Sequence, residues 1–432
     1  MERSGLLGVY AVRFAAAVTL AMGVSGCNGS AGTAGAPAGV TPVAVRDSSS
    51  GSATPIQHIV LVVQEARTFN NLWGTVKVAK ARVGHGKHQH VITIRLKKAD
   101  LDAKGPRNGG YQTYREAYDN GKMDGFYEAN GRVAYEYVNP AEIRPYFAIA
   151  ADYATADHMF QTQGSGDFTA HQDLIRGGTE ISSSASVIDN PDELPWGCDA
   201  PGGTKTSLIA SGEKYEADQG PFPCFTYDTL QTRLDPKSIS WKYYAPSLRS
   251  AAGEFWNAFL AIQAVADNKA EWDEHISSPE TNVLRDIAHG NLPAMSWVIP
   301  SLENSDHAGF PHDVSGPSWV ASIVNAVGES EYWNSTAIVI VWDDWGGFYD
   351  PVPPKLDNQG GAGFRVPMLV VSAYTPQAYV SHTVYGFGSI IRFIEKTFGL
   401  KRLGTTDKTS TSIGDMFDFN QSPRQFEKIP SQ

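Results

Sequence analysis

The sequence predicts an α/β protein, a three-layer sandwich with a mostly parallel central sheet. Three observations carry that expectation. Apolar, β-branched runs recur along the chain, helical patterns alternate with them, and acidic residues follow directly on two of the runs. Those are the strand ends where an open parallel sheet gathers its reactive groups.

The first run, His58 to Val63, is apolar without alternation from Ile59 onward, which suits a strand covered on both faces. Ala294 to Ile299, Ala337 to Trp342 and Pro367 to Ser372 read the same way. Between the second and third runs, Ser318 to Gly328 sets Val320, Ile323, Val324 and Val327 on one stripe, with a glycine where a helix stops. Ser389 to Gly399 repeats the pattern with Ile390, Phe393 and Ile394. Residues 85 to 135 are more polar and residues 183 to 235 richer in Gly and Pro, so both read as loop-like insertions rimming a site. Trp73, Trp196, Trp345 and Phe348 are aromatic candidates for its entrance.

The N-terminus points to export. Arg3 and Arg13 flank an apolar run from Phe14 to Val24 that ends at Ser25, Gly26 and Cys27, the pattern of a signal peptide over residues 1–26. Small residues before a cysteine suit a lipoprotein signal peptidase. Cys27 is therefore the expected lipid attachment site, and the mature protein a membrane-anchored lipoprotein on the periplasmic or cell-surface side. Residues 27–53, rich in Gly, Ala, Ser, Thr and Pro, carry too little large apolar surface for a core and read as a tether. One domain is expected over residues 54–432. Cleavage removes Arg3, Arg13 and Glu2 and leaves 33 basic against 45 acidic residues, a balance that speaks against nucleic acid as a partner. In an oxidising compartment the two remaining cysteines, Cys198 and Cys224, are expected to pair.

The chemistry gathers at four places. Glu65 follows the first run, and Asp343 and Asp344 follow the third. Carboxylates at buried strand ends are costly without a cation, and these three make an oxygen pocket for a divalent metal; helix capping, or pairing with Arg67 and Arg365, is the alternative. Gly164 and Gly166 lead into a helical pattern, so the amides of Asp167 to Thr169 would face an anion, while Asp167 is equally explicable as an N-cap. Asn304 to His312 supplies His307, suited to protonating a leaving alkoxide or donating to phosphate oxygens.

In this order along the chain, the pieces resemble the bacterial phosphoesterase family that includes the non-specific phospholipases C and a group of acid phosphatases, within the alkaline-phosphatase-like superfamily. The resemblance runs from about Pro55 to about Phe426 and is most specific over Pro55 to Asn71 and Trp342 to Asp350; Phe168 to Gln172 and Ser301 to Trp319 also fit. It implies an alkaline-phosphatase-like fold and one divalent ion held by Glu65, Asp343 and Asp344. It also implies hydrolysis of phosphoric esters, phospholipids included, outside the cytoplasm through attack on phosphorus.

The sequence departs from the family at three positions. Ala66 stands where a ligand Asn is expected, Asp167 where the nucleophilic Ser or Thr is expected, and Pro351 where many relatives have His. Four carboxylates would then surround a doubly charged ion and oppose an incoming phosphate. Asp167 is either an attacking carboxylate, or a metal ligand with Ser165, Thr169 or a metal-bound water attacking, or part of a two-metal site. His171, in the same segment, is a further catalytic candidate. A second reading of Ala66 and Asp167 keeps the fold and the anchor but makes the protein a catalytically impaired binding protein.

Overall fold

Unbroken runs of Val, Ile and Leu cannot leave either face in water, and each of the four predicted runs forms a strand of one sheet. The computed structural model describes residues 54–84, 86–107, 110–310, 315–355 and 362–431. The expected signal peptide, Cys27, the tether and His312 lie outside the described residues.

Strands β1 (His58–Gln64), β2 (Ala154–Ala156), β3 (Trp241–Tyr244), β4 (Ile276–Ser277), β5 (Met295–Val298), β6 (Thr336–Trp342), β7 (Met368–Ser372) and β8 (Tyr379–Ser381) form an eight-stranded sheet. Their order is β4-β3-β5-β1-β6-β7-β2-β8. All neighbours pair in parallel except around β7, which runs antiparallel to β6 and β2. The expected mostly parallel sheet is present, with one reversed strand.

Five helices frame it: α1 (Arg144–Asp152), α2 (Asp167–Arg176), α3 (Asn282–Ala288), α4 (Ser315–Gly328) and α5 (Phe387–Thr397). Packing joins α4 with α1 and α3, and α2 with α5. Strand register shows that these two groups cover opposite faces. Trp297 aligns with Leu61, and Leu61 with Val339, so these side chains share a face; Trp342, three residues beyond Val339, points the other way. The Trp297 indole donates to the Leu174 carbonyl of α2 at 3.1 Å, whereas the Trp342 ring packs on Tyr146 of α1. This is the predicted three-layer sandwich.

The stripe Val320, Ile323, Val324 and Val327 of α4 is fully buried, as are Ile390 and Ile394 of α5. Gly328 closes α4 for a reason other than chain reversal: a Cβ there would stand 2.3 Å from the Phe426 ring.

The expectation of loop-like insertions is corrected. Val78–Val83 and His90–Arg95 form an antiparallel pair, and Gly110–Tyr118 and Phe126–Asn130 are helical. Together they enclose a second apolar core that takes in Trp345. The later insertion holds a four-stranded antiparallel sheet from Glu180–Ser182 to Lys214–Glu216. Polar outer faces on short strands hid both from a reading of composition. Cys198 and Cys224 are joined by a disulfide within the later insertion.

Candidate active site

The pairing of β1 with β6 builds the centre of the site. Gln64 aligns with Trp342, so the next residues, Glu65 and Asp343, emerge side by side at the C-terminal edge, both with no exposed surface. The turn after β1 is held by the Ala66 amide, which donates to Asp343 Oδ1 at 2.8 Å. Ala66 takes a left-handed conformation, φ 59°. The turn after β6 is held by Asp344 Oδ1, which accepts from the Gly346 amide at 2.6 Å. Gly346 is obligatory there, because its φ is positive and a Cβ would fall 2.1 Å from the Ala66 carbonyl oxygen.

Helix α2 delivers the remaining groups. His171 places Nε2 3.2 Å from Glu65 Oε1 and 3.8 Å from Asp343 Oδ2. His171 Nε2 is hydrogen-bonded to Glu65 Oε2 at 3.5 Å, while Glu65 Oε1, Asp343 Oδ2 and His171 Nδ1 lie buried without a hydrogen-bond partner. Burial depresses the His171 pKa and keeps the imidazole neutral; burial first, and then neighbouring carboxylates, pushes Glu65 and Asp343 well above the usual carboxylate range.

Asp167 is the first residue of α2, and the extended Gly166 is the N-cap, so the expectation of Asp167 as a cap is corrected. Its Oδ1 accepts instead from the indole of Trp256 at 3.0 Å. Trp256 is fully buried, lies parallel to the His171 ring at 6.4 Å between centroids, and is 6.2 Å from the His307 ring. It joins three predicted site residues and was not itself predicted, since no motif marks a lone tryptophan outside the strand ends. The anion-facing amides are corrected in part: the Phe168 amide donates to Asn190 Oδ1 at 3.0 Å.

Ser165 and Thr169 stand apart from the acidic cluster in their bonding. The Ser165 hydroxyl accepts from the Asp189 amide at 2.8 Å and donates to Asp189 Oδ1 at 3.1 Å, while Thr169 Oγ1 donates to the Gly166 carbonyl. His307 donates through Nδ1 to the Ala308 carbonyl at 2.9 Å. Its loop is anchored by the buried Asp306, whose Oδ2 accepts from Tyr146 at 2.8 Å and from the Trp342 indole at 3.0 Å. Burial pushes the Asp306 pKa up to about 6.

The two arginines serve other partners. Arg67 donates to the carbonyls of Asp306 and Leu101, and Arg365 forms a two-point pair with Asp350 at 2.9 and 3.2 Å. Of the aromatic candidates, Trp345 and Phe348 are buried, the first among Tyr114, Phe126 and Phe364, the second beneath the Arg67 guanidinium. They are core residues and do not line an entrance.

Among the described residues, no Lys or Arg pairs with Glu65 or Asp343. Ligand atoms of Glu65, His171 and Asp343 lie within 4.8 Å of one another, as do those of Asp167, Asp343 and Asp344. Orphaned buried oxygens, a neutral imidazole and no counter-cation are what a divalent ion would satisfy, and the donor set fits one.

The family profile and the related sequences agree with the sequence resemblance. A profile described as the phosphoesterase family matches residues 56–401. The non-hemolytic phospholipase C of Pseudomonas aeruginosa is 23% identical over 88% of this chain, which spans 60% of that protein's length. Phospholipase C B of Mycobacterium tuberculosis is 22% identical over 86% of this chain and 80% of its own. Among solved structures, a protein in the alkaline phosphatase superfamily from Vibrio parahaemolyticus is 9% identical, covering 84% of this chain and 72% of its own, with a TM-score of 0.38.

Proposed function

This chain belongs to the phosphoesterase family, and on that premise we propose that it is a metal-dependent hydrolase of phosphoric esters, phospholipase C-like or acid-phosphatase-like. The observation that carries the reading is the buried set Glu65, His171 and Asp343, contiguous with Asp167 and Asp344, at adjacent strand ends and without an arginine or lysine on Glu65 or Asp343. A divalent ion bound there would offset charge developing on the phosphoryl oxygens.

Asp167, pinned by Trp256, completes the ligand set in place of the missing Asn, and a water molecule attacks phosphorus. The engagement of the Ser165 and Thr169 hydroxyls in backbone and Asp189 contacts supports this assignment. His171 stays neutral and orients Glu65, and His307 protonates the leaving oxygen. Substrates are phosphate esters, phospholipids among them. The lipid anchor at Cys27 holds the domain beside a membrane outside the cytoplasm.

The experiment uses mature protein stripped of metal and resupplied with Mn²⁺, Zn²⁺, Ca²⁺ or Mg²⁺. Hydrolysis of an aryl phosphate or a phosphodiester is expected, with a loss of 10²-fold or more in Asp343→Ala, the order of magnitude of removing one transition-state stabilising group. Hydroxylamine trapping of an acyl phosphate at Asp167 would replace water attack with carboxylate attack. An absence of metal-dependent turnover at any pH, joined to a large gain in Ala66→Asn with Asp167→Ser, would establish the impaired binding protein instead. Export and anchoring predict that Cys27→Ala moves the protein from the membrane to the soluble fraction; unchanged partition counts against the anchor.

A further inference from the structure

The ends of β1 and β6 serve two purposes, one on each face of the sheet. Glu65 and Asp343 emerge toward α2, where His171 meets them. The residues just before them, Gln64 and Trp342, are register partners and share the opposite face, as strand alternation requires. Both take hold of the segment that leads into His307. The Trp342 indole donates to Asp306 Oδ2 at 3.0 Å, and Gln64 Oε1 accepts from the Asp306 amide at 2.8 Å.

Gln64 makes a second contact with the same segment, through Nε2, which donates to the Asn304 carbonyl at 3.0 Å. Bridging an amide and a carbonyl needs an acceptor and a donor on one planar group, and a carboxamide offers both. Gln64 has no exposed surface, and the residues before it on this face, Val60 and Val62, are apolar and equally buried. A polar side chain is costly there unless both of its ends are bonded, and both are spent on one loop.

Two further contacts complete the grip. Arg67 donates to the Asp306 carbonyl at 2.8 Å, and the Asn304 side chain donates to Glu280 Oε1 at 3.0 Å. The amide, carbonyl and carboxylate of Asp306 are thus all fixed, so the chain enters His307 in a set direction. The His307 amide donates to Ser305 Oγ at 3.3 Å, and its ring stands 6.2 Å from that of Trp256, which also holds Asp167.

We propose that Gln64 is the positioning residue of the general acid. It ties the loop of His307 to the strand that delivers Glu65, so that the acid and the carboxylate cluster keep one spacing. The assignment rests on the reading of His307 as the group that protonates the leaving oxygen. When the ester P–O bond breaks, its electron pair stays on the leaving oxygen, which takes the proton of His307; the attacking water supplies the new P–O bond and, through solvent, the proton that restores the imidazolium. An alkoxide leaves slowly without that proton, whereas a nitrophenolate carries its charge well and leaves with little help. Displacing His307 therefore slows alkyl esters more than aryl esters.

The test measures kcat of the mature, metal-loaded protein on an alkyl phosphate and on p-nitrophenyl phosphate, for Gln64→Met, His307→Gln and the double variant. On the alkyl ester His307→Gln is expected to lose roughly 10²-fold and Gln64→Met about tenfold or more, with each loss several-fold smaller on the aryl ester. The double variant should match His307→Gln to within about twofold, because the clamp acts only through the acid. Equal losses on both esters in Gln64→Met, or losses that multiply in the double variant, overturn the proposal and leave the catalytic reading intact. No discrimination between the esters in His307→Gln, or no turnover by the native protein, overturns the catalytic reading and this assignment with it. Should Gln64→Met fail to fold, Gln64→Glu decides. Its carboxyl makes both contacts only when protonated, so its alkyl-to-aryl rate ratio, taken relative to the native ratio, should rise as pH falls; a relative ratio that does not change with pH rejects the clamp.

Discussion

At the scale of single residues, Ala66 carries a cost that the family's Asn would avoid. An L-residue in the left-handed region pays about 1–2 kcal/mol, less for Asn, whose side chain bonds locally. Ala66 sits there at φ 59° while its amide serves Asp343. Ala66→Asn is therefore expected to stabilise the metal-free protein by roughly 0.5–1 kcal/mol and to raise its affinity for Mn²⁺ or Zn²⁺ by adding an oxygen donor. Urea unfolding and calorimetric titration measure the two effects. A lower unfolding midpoint would show that the buried pocket around residue 66 has no room for the longer side chain.

Among elements, α5 has a buried carboxylate that couples stability to pH. Glu395 is 1% exposed beside the fully buried Asp407; its Oε1 accepts from the Leu403 amide at 2.8 Å, and Arg392 is 3.8 Å from Oε2. Burial pushes its pKa up to about 7, with Asp407 adding to the rise. A carboxyl whose pKa is raised by folding is favoured in its protonated form. Its contribution is complete below the ordinary glutamate value of about 4.3 and disappears as pH climbs through about 7. Glu395→Gln should remove that slope, keeping on the order of 1–2 kcal/mol that the native protein loses across this window once solvent screening is allowed for. Unfolding midpoints from pH 4.5 to 8 would read it, and parallel curves for both proteins would sink the assignment. The helix itself was legible in the sequence because Ile390, Phe393 and Ile394 keep a 3.6-residue period, as do the buried positions of α4. Strands β2, β3, β4 and β8, of two to four residues each, are too short for any period to declare itself.

Across the whole molecule, the same division governs the site. Glu65, Asp343 and Asp344 could be read from sequence because strand ends concentrate chemistry, and strand register then places the first two together. Trp256 and Asp306 could not, because their roles depend on contacts 89 and 160 residues apart in the chain. The path from the insertion to the centre is also long-range. Cys198 donates its amide to the Leu260 carbonyl and Phe225 to that of Ala261, both at 2.7 Å, so each half of the disulfide-closed loop is stitched to the segment that follows Trp256. Ala258, in that segment, accepts from Gln172 of α2 at 2.8 Å. The disulfide spans a sequence separation of 26 residues, and closing a loop of that size restricts the unfolded chain by about 3 kcal/mol. Cys198→Ser with Cys224→Ser is thus expected to lower unfolding free energy by about that amount and, by loosening the support of Trp256, to reduce metal-dependent hydrolysis more than binding of inorganic phosphate. Denaturant curves and a comparison of kcat with phosphate affinity separate the two effects. Full activity at reduced stability would confine the disulfide to the insertion and detach it from the catalytic centre.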